Sequence, residues 1–462
     1  MAFIFDGKKV LVAGGGVTGS AVAKTLASRG ASIVIVDENQ DLDLEFTVLA
    51  PSLIKIKDYF AVVVSPGWKP THPIVIAAVE SGIQIWNEID LAWAISREIS
   101  PQQKWMAITG TNGKTTTVEM AVAMLQSAGL SAAACGNVGD TVIDAVIHNE
   151  PFDYLILELS SFQLHWMQHA SFTSIAILNL ADDHLDWHGS FDNYCRAKFS
   201  LLNHSDIAVL NADDSEVMQR ARSWAGKKIF FTLETPAAGE LGVVEDLLVD
   251  RAFIRDPHEA SMIAQINDIQ PTLPHSVSNA LAAAGLALSV GVSYADIQKA
   301  LIGFHPGRHR IEVVLREDEI SWIDDSKATN PHAAAASIMS HLSVIWIAGG
   351  LAKGADMNSL IDRVKSRVKA AILIGDDRAL IEAALHKLAP KIPIVKVDTD
   401  FPKGDPSNDL MEKVVGVAKT FAEPGDTVLM APACASMDQF ISYADRGDRF
   451  ASAVKKLVKN EN

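Results

Sequence analysis

A glycine-rich turn at the end of the first quarter of the chain carries residue types that bind phosphate. The segment Gly110–Thr116, of sequence GTNGKTT, follows an apolar run and precedes a helical pattern. Backbone N–H groups at such a turn bind phosphate oxygens, a lysine such as Lys114 supplies positive charge, and a hydroxyl such as that of Thr115 binds Mg²⁺. The spacing departs from the common GxxxxGK[ST] pattern, because Ile108 stands at the place of the first glycine. The alternative is a glycine turn beside a solvated lysine.

Acidic and imidazole side chains follow two further apolar runs. Glu158 ends one run, and the stretch that starts at Asn179 includes His184 and His188. Because Mg²⁺ prefers carboxylate and hydroxyl oxygens, Glu158 and Thr115 are a candidate metal pair beside a phosphate chain. The two histidines would instead suit a transition metal if their segment is helical, but no third nitrogen or sulfur ligand is spaced to complete such a site.

A second glycine cluster, near the start of the chain, is typical of a nucleotide-binding turn. Gly14, Gly16 and Gly19 satisfy the GxGxxG pattern after a strand-like run, and Asp37 ends the next apolar run. In dinucleotide-binding folds an acidic residue about 20 residues after the glycines binds the ribose. The pattern leaves three interpretations open: binding of NAD, binding of another nucleotide, or close packing of a strand–helix turn.

Polar residues also follow apolar runs in the last third of the chain. Asp324–Pro331 combines acids, a lysine and hydroxyls, and Lys353 and Ser436 follow later runs. Ligands of open α/β sheets bind at the carboxyl ends of strands, so these residues are candidate contacts of a polar ligand. Taken singly, each is more typical of a helix cap or a turn.

All of these candidates need the same support, a buried strand that ends in a glycine turn and continues into a helix. This unit starts at Val10, Trp105 and Val344, and it is the repeating element of α/β folds. The length of 462 residues predicts about three domains at roughly 150 residues each. We predict an α/β fold with a Rossmann-like domain at 1–101, a central P-loop ATPase-like parallel-sheet domain at 102–306 and a second Rossmann-like domain at 307–462.

The composition fits globular domains and excludes two classes of partner. Lys and Arg total 40 against 56 Asp and Glu, a formal net charge of −16, and 48% of residues are hydrophobic. Broad nucleic-acid-binding or anionic membrane surfaces need excess positive charge, so neither partner is expected. The three cysteines form no CxxC pair, the start lacks the order of a signal peptide, and no apolar stretch reaches the ~18 residues of a membrane helix. We expect a cytoplasmic monomer that acts on small molecules.

Taken together, the segments resemble the Mur ligase family over essentially the whole chain. The motifs that carry the resemblance are Gly110–Thr116, Glu158–Leu164, Asp183–His184, Asn211–Asp214, His309–Arg310, Asp325–Asn330 and Pro432–Phe440. The family joins an amino acid to a UDP-linked muramoyl precursor of peptidoglycan, using ATP and Mg²⁺. The resemblance implies that this chain adds D-glutamate to UDP-N-acetylmuramoyl-L-alanine through an acyl phosphate.

The resemblance also implies roles for individual residues. The UDP precursor would be bound by Val17, Thr18, Asp37, Asn137 and His184. ATP would be bound by Gly110, Thr111, Asn112, Gly113, Lys114, Thr115, Thr116, Asn279, Arg310, Asp325 and Lys327. One Mg²⁺ would be held by Thr115 and Glu158 and a second by His184 and Lys198. The catalytic residues would be Lys114, Glu158, His184 and Lys198. D-Glutamate would be bound by Thr329, Lys353, Ser436 and Tyr443.

Within the resemblance, one position is a lysine that the family modifies, and three others depart from the usual family residue. The family lysine that matches Lys198 is carbamylated, which turns a cation into a metal-binding carboxylate, whereas Lys198 read by itself is a solvated helix lysine. Ser276 stands where an asparagine is common, Tyr443 where phenylalanine is usual, and Asn39 where a basic residue is common. None of these three departures removes a metal ligand, so they affect the binding pockets rather than the reaction.

Other functions compete with this interpretation. Another Mur ligase or a folylpolyglutamate synthase would share the phosphate turn, although a folate enzyme would lack the first domain. A nicotinamide-dependent oxidoreductase would explain the first glycine cluster but not Gly110–Thr116. A non-catalytic nucleotide-binding protein would retain part of its binding role when Lys114 is replaced by alanine, whereas a ligase would lose turnover.

Overall fold

Strands and helices alternate along the described residues, which are 4–256, 258–405 and 407–458 of a computed structural model. Within these residues the strands form three sheets, of five, nine and six strands. The predicted α/β class is therefore confirmed.

The first sheet is parallel throughout and has the order β3-β2-β1-β4-β5. Its central strand is the β-branched run that precedes the first glycine cluster, and residues such as Leu11 and Val62 are fully buried. The elements are β1 (Lys9–Ala13), α1 (Val17–Ser28), β2 (Ser32–Val36), β3 (Val48–Leu49), β4 (Ala61–Val64), α2 (Pro73–Glu80), β5 (Gln84–Asn87) and α3 (Glu88–Ile99).

The second sheet has the order β14-β13-β12-β11-β10-β9-β6-β8-β7. The elements from this part of the chain are β6 (Lys104–Thr109), α4 (Lys114–Ser127), β7 (Ala132–Gly136), α5 (Val142–Val146), β8 (Tyr154–Glu158), α6 (Ser161–Trp166), β9 (Ser174–Ile177), α7 (Leu185–His188), α8 (Phe191–Phe199), β10 (Ile207–Asn211), α9 (Ser215–Ala221), β11 (Lys227–Phe231), β12 (Glu240–Val244), β13 (Leu247–Asp250), β14 (Ser261–Gln265), α10 (Pro274–Leu288) and α11 (Tyr294–Gly303).

This second sheet is mixed, unlike the parallel sheet that we predicted. Strands β12, β13 and β14 pair antiparallel at one edge. The two-residue turn between β12 and β13 contains Glu245, whose φ is +55°. A turn this short can only join antiparallel strands, because a parallel pair needs a long crossover.

Helices α4, α10 and α11 cover the second sheet with small and apolar side chains. Helix α10 packs directly against α4, and its alanines from Ala280 to Ala287 are fully buried. Small side chains let two helices approach closely, so α10 can bring a polar residue of its first turns against the start of α4.

The third sheet has the order β15-β16-β20-β17-β18-β19, with the β15–β16 pair antiparallel. Helices α12, α13 and α14 pack on one face, and α15 and α16 pack on the other. The elements are β15 (Glu312–Glu317), β16 (Ile320–Asp324), α12 (Pro331–Met339), β17 (Val344–Gly349), α13 (Met357–Val364), β18 (Val368–Ile374), α14 (Arg378–Leu388), β19 (Ile394–Lys396), α15 (Leu410–Phe421), β20 (Thr427–Met430) and α16 (Tyr443–Leu457).

The described residues group into two compact units. The first contains the first two sheets, up to Leu180 and again over Asp192–Phe304, and the second contains Ala181–Phe191 and the third sheet from His305 onward. None of the helices within the described residues combines the length and the apolar character needed to cross a bilayer.

Candidate active site

The glycine-rich turn joins β6 to α4 and has the backbone shape that phosphate binding requires. The φ angles of Gly110 and Gly113 are +154° and +85°, values that favour glycine. A Cβ on Gly113 would lie 2.4 Å from Asn279 Oδ1, because α10 brings Asn279 against the turn. Helix α4 begins directly after Gly113, so the N–H groups of its first turn, which includes Thr115 and Thr116, are available to an anion.

Asn179 fixes the middle of this turn. Asn112 N donates to Asn179 Oδ1 at 2.8 Å, and Asn179 Nδ2 donates to Asn112 O at 3.0 Å. Thr111 N also donates to Asn179 O, at 2.8 Å. Asn179 follows β9, the neighbour of β6, so the parallel pairing of two strands holds the turn in shape.

Both carboxylate oxygens of Glu158 are engaged beside the start of α4. Thr115 Oγ1 donates to Oε2 at 2.6 Å, and Asn137 Nδ2 donates to Oε1 at 2.8 Å. Glu158 ends β8 and is 2% exposed, and Asn137 follows the neighbouring strand β7. Three predicted residues thus meet at one buried carboxylate. A hydroxyl next to a carboxylate is the hard oxygen donor set that suits Mg²⁺.

Two predicted lysines converge on one carbonyl oxygen. Lys114 Nζ donates to Gly110 O and Thr111 O, both at 2.9 Å, and Lys198 Nζ donates to the same Gly110 O at 2.8 Å. Lys198 is only 2% exposed on α8, so its interpretation as a solvated helix lysine is wrong. Two ammonium groups at one oxygen repel each other, and a bound anion or the loss of one positive charge relieves that repulsion.

Tyr194 belongs to this group although the sequence analysis did not single it out. Its hydroxyl shares a hydrogen bond of 2.9 Å with Thr111 Oγ1, and its ring centre lies 4.9 Å from Lys198 Nζ. The signal that could have indicated Tyr194 is its spacing: it precedes Lys198 by four residues on α8, which puts both on one helix face.

In the first sheet, the predicted precursor-binding residues surround the turn after β1. Gly15 N donates to Asp37 Oδ2 at 2.7 Å, and Asn39 N donates to Asp37 Oδ1 at 2.9 Å. Asp37 therefore stabilises both the glycine turn and its own loop. Val17 opens α1 and is 80% exposed, with Thr18 next to it, so the start of this helix is open to a ligand.

Two buried acids of α3 join the first sheet to the elements of the second. Asp90 accepts hydrogen bonds from the backbone N–H groups of residues 168–170 at 2.8 to 2.9 Å. Glu88 accepts one from Ile143 N at 3.1 Å, and burial raises the pKa of its carboxyl to about 7. Glu88 and Trp166 also line a small cavity between the two sets of elements.

His184 lies in the short segment 181–191, which groups with the unit of the third sheet. Its φ is +54°, and its N donates to Asp183 Oδ1 at 3.0 Å. Positive φ is uncommon outside glycine and is concentrated at functional positions. The structure describes His184 within its own unit, so a shared metal site with Lys198 stays a prediction.

Arg310 and Asp325 both belong to the unit of the third sheet. Burial raises the pKa of the Asp325 carboxyl to about 7, and the charge of Arg310 acts in the opposite direction. Asp325 follows β16, and its N donates to Met430 O at 2.9 Å. His309, next to Arg310, has a φ of +65°, and its Nδ1 lies 2.7 Å from Asp324 Oδ2. The end of β16 thereby fixes the loop of Arg310.

Lys327 and Tyr443 are in direct contact. Lys327 Nζ lies 4.0 Å from the centre of the Tyr443 ring, a cation–π arrangement that positions the ammonium group. Lys327 N donates to His309 O at 3.2 Å, and Thr329 N donates to Lys327 O at 2.8 Å. Lys327 and Thr329 are thus held in one short loop between β16 and α12.

Lys353 and Ser436 lie on adjacent loops. Leu351 and Ala435 exchange backbone hydrogen bonds, both of 2.9 Å, which join the loop after β17 to the loop after β20. Lys353 is exposed with a φ of +51°, whereas Ser436 is 3% exposed. Strand β20 lies between β16 and β17, so the residues predicted to bind the amino acid come from the ends of three adjacent strands, where ligands of α/β sheets bind.

Two family models match most of the chain. The Mur ligase middle domain matches residues 108–287, and the glutamate ligase domain of Mur ligases matches residues 309–434. The first match includes the glycine-rich turn, Glu158 and Lys198, and the second includes Arg310 and Lys353.

Full-length relatives agree with these matches. A Streptomyces coelicolor protein named UDP-N-acetylmuramoylalanine--D-glutamate ligase is 44% identical over 475 residues, which cover 98% of this chain and 99% of the relative. A Mycobacterium avium protein of the same name is 41% identical over 491 residues and covers 99% of each chain. The solved structure of a pseudomurein peptide ligase type C from Methanothermus fervidus has a TM-score of 0.60 at 19% identity, over 97% of this chain and 100% of that one, and supports the fold. The resemblance inferred from the motifs is confirmed, and the chain belongs to the Mur ligase family.

Proposed function

We propose that this chain is an ATP-dependent ligase that joins D-glutamate to UDP-N-acetylmuramoyl-L-alanine in the cytoplasmic synthesis of peptidoglycan precursors. Similarity to D-glutamate ligases over nearly the whole length supports the choice of substrates. The observation that carries the proposed chemistry is the meeting of Thr115, Glu158 and two lysines at the glycine-rich turn.

The three predicted domains would each bind one substrate, in a protein that acts as a monomer. Residues 1–101 would bind the UDP precursor through Val17, Thr18 and Asp37, with Asn137 from the next domain. Residues 102–306 would bind ATP through Gly110–Thr116 and Asn279, with Arg310 and Asp325 from the last domain. Residues 307–462 would bind D-glutamate through Thr329, Lys353, Ser436 and Tyr443, and Lys327 would contact the reacting end.

The reaction must first activate a carboxylate, which is a poor acylating agent. An oxygen of the precursor carboxylate attacks the γ-phosphorus of ATP, the bond to the bridging oxygen breaks, and ADP leaves. The amine of D-glutamate then attacks the carbonyl carbon of this acyl phosphate, phosphate leaves, and the nitrogen loses a proton to give the amide. Lys114 and Arg310 would neutralise charge on the transferred phosphoryl group, and no protein nucleophile is needed.

The residues around the glycine-rich turn fit a requirement for Mg²⁺. Thr115 and Glu158 would hold one ion, and His184 with Lys198 would hold a second. Mg²⁺, when bound, neutralises charge on phosphate oxygens. Lys198 can serve as a ligand only after carbamylation, in which its neutral Nζ attacks the carbon of CO₂ and releases a proton. The repulsion between Lys198 and Lys114 at Gly110 O supports this modification, because it replaces a positive charge with a negative one.

Substrate choice is tested by phosphate release from ATP in the presence of UDP-N-acetylmuramoyl-L-alanine and one amino acid at a time. We expect release with D-glutamate and little with L-glutamate, L-alanine or a diamino acid. A Lys114→Ala variant is the matched control and should release no phosphate. Release only with an amino acid other than D-glutamate would overturn the proposed function, although not membership of the family.

A further inference from the structure

One fully buried arginine ties together the loops at the end of the third sheet. Arg446, on α16, is 0% exposed. Its Nε donates to Ser326 Oγ at 2.9 Å, and its Nη2 donates to Ser326 O at 3.0 Å. Its Nη1 donates to Gly349 O at 3.4 Å, and both terminal nitrogens donate to Cys434 O at 3.2 Å. These contacts use the full set of N–H donors that a guanidinium offers.

The three acceptor residues lie at the ends of three different strands or directly after them. Ser326 follows β16, Gly349 ends β17 and Cys434 follows β20, and these strands are neighbours in the sheet. No ion pair joins Arg446 to a carboxylate in the part of the chain that the structure describes. The guanidinium therefore acts through backbone carbonyl oxygens and one serine hydroxyl rather than as half of a salt bridge. The loop after each of these strands includes one residue that we assign to the amino acid: Thr329, Lys353 or Ser436.

We propose that Arg446 is a positioning residue that sets the geometry of the amino-acid site by holding these three loops in register. The inference rests on the proposed function, because it assigns the loops to the amino acid. Arg446 is itself buried away from the proposed substrates, and it acts through the backbone of residues that neighbour the proposed substrate-binding side chains.

The connection from Arg446 to the site is short. Ser326 Oγ, which accepts the bond from Arg446 Nε, donates in turn to Tyr443 O at 2.7 Å. Tyr443 carries the ring under the Lys327 ammonium group. A shift of Arg446 would therefore move the residue before Lys327 and the first residue of α16 together.

Burial of the charged Arg446 guanidinium is energetically unfavourable, because the group loses its contact with water. Burial lowers the pKa of Arg446 to about 10, so the group remains charged at neutral pH in the protein interior. Helix α16 also needs glycine at the next position, because a Cβ on Gly447 would lie 2.2 Å from His309 Nδ1. A lysine would keep the charge but has three donors on one nitrogen, so it cannot reproduce the planar fork that reaches three loops.

The test compares Arg446→Lys and Arg446→Met with Arg449→Lys in the full-length protein. Arg449 lies on the same helix and bonds Asp445 and Asp405 O, away from these loops. For each variant, kcat, the KM of each substrate and the melting temperature are measured. We expect Arg446→Lys to raise the KM of D-glutamate about tenfold, the effect of losing one or two hydrogen bonds. The KM of the UDP precursor, whose proposed contacts lie outside these loops, should stay within about twofold, and Arg449→Lys should leave all three KM values unchanged.

Two results would overturn the proposal. One is a D-glutamate KM in Arg446→Lys equal to that of Arg449→Lys. The other is an equal rise in all three KM values that follows the loss of melting temperature, which would make Arg446 merely structural. If Arg446→Met does not fold, Ser326→Ala removes the hydroxyl that accepts from Arg446 Nε and leaves the guanidinium in place, and it should raise the D-glutamate KM about threefold. If the native protein uses another amino acid, the proposed function fails, and Arg446 is then judged by the KM of that amino acid.

Discussion

Lys114 and Lys198 donate to the same carbonyl oxygen, that of Gly110, at 2.9 and 2.8 Å. They reach it from different elements, Lys114 from the start of α4 and Lys198 from α8. A nearby negative charge reduces the repulsion between two such positive charges. The proposed function supplies two such partners, the phosphates of ATP near Lys114 and a carbamate at Lys198.

Carbamylation of Lys198 predicts that activity depends on CO₂. Removing dissolved CO₂ should lower kcat, and adding bicarbonate should restore it. A Lys198→Arg variant keeps the positive charge but forms no stable carbamate, so it should lose about 100-fold or more in kcat and not respond to bicarbonate. The measurements are phosphate release and ¹³C NMR after incubation with ¹³C-bicarbonate, with Lys104→Arg as a control on the surface. Full activity of Lys198→Arg would rule out the carbamate.

The hydrogen bond from Thr115 to Glu158 predicts a specific effect on the need for Mg²⁺. Thr115→Ala removes the hydroxyl, so we expect the Mg²⁺ concentration for half-maximal rate to rise about 10- to 100-fold. Thr115→Ser keeps a hydroxyl at the same place and should stay within a few-fold of the native protein. The readout is the initial rate during a Mg²⁺ titration at saturating ATP. Identical titrations for the alanine and serine variants would contradict the assignment.

Gly113 should be harder to replace than another glycine at the other end of the same helix. Gly113→Ala combines a φ of +85° with a Cβ 2.4 Å from Asn279 Oδ1. Gly129→Ala is the matched control, because its φ is +80° and nothing lies within 4 Å of its Cβ. We expect Gly129→Ala to cost about 1 kcal/mol of stability and Gly113→Ala about 2 to 4 kcal/mol, with a higher KM for ATP. Equal unfolding midpoints and equal KM values in the two variants would contradict the close approach of Asn279.

The raised pKa of Glu88 predicts how the free energy of unfolding changes with pH. Burial raises the pKa of its carboxyl to about 7 in the folded protein, from an ordinary value of 4.5. Below pH 4.5 the group is protonated in both states, and between 4.5 and about 7 only the unfolded chain releases the proton. This group therefore lowers the free energy of unfolding as pH rises through that window, and the loss persists above it.

The matching experiment uses Glu88→Gln, which keeps an acceptor for Ile143 N but does not ionise. Relative to the native protein, this variant should gain about 1–3 kcal/mol on going from pH 4.5 to pH 8. Glu80→Gln, on the exposed side of α2, should follow the native curve. The readout is the melting temperature of each variant across this pH range. Parallel curves for Glu88→Gln and the native protein would show that Glu88 does not cause the pH dependence of stability.

The parts of the site that the sequence predicts best are those fixed by neighbours along the chain. The turn at Gly110–Thr116 needs glycines where φ is positive and a helix start next to them, so its pattern is local. The placement of Glu158 at a strand end follows from an apolar run that stops at an acid. Parallel pairing then brings such strand ends to one edge of a sheet, as the contact between Thr115 and Glu158 illustrates.

The parts that sequence reasoning missed depend on contacts between distant segments. Tyr194 reaches Thr111 from 83 residues away, and Arg446 reaches Ser326 from 120 residues away. The only local signal for Tyr194 is its four-residue spacing from Lys198, and Arg446 has no local pattern that separates it from an ordinary helix residue. The antiparallel edge of the second sheet was missed for another reason, because its turn at Glu245 contains no glycine to mark the hairpin.

Transfer of D-glutamate through an acyl phosphate can be tested by following the carboxylate oxygen atoms of the precursor. UDP-N-acetylmuramoyl-L-alanine labelled with ¹⁸O in its carboxylate is incubated with ATP, Mg²⁺ and D-glutamate, and both products are analysed by mass spectrometry. With both carboxylate oxygens labelled, the account predicts an amide product that has gained one glutamyl residue and kept one ¹⁸O atom, and inorganic phosphate that carries the other ¹⁸O atom. Phosphate without ¹⁸O, or phosphate release with no glutamyl product, would contradict it.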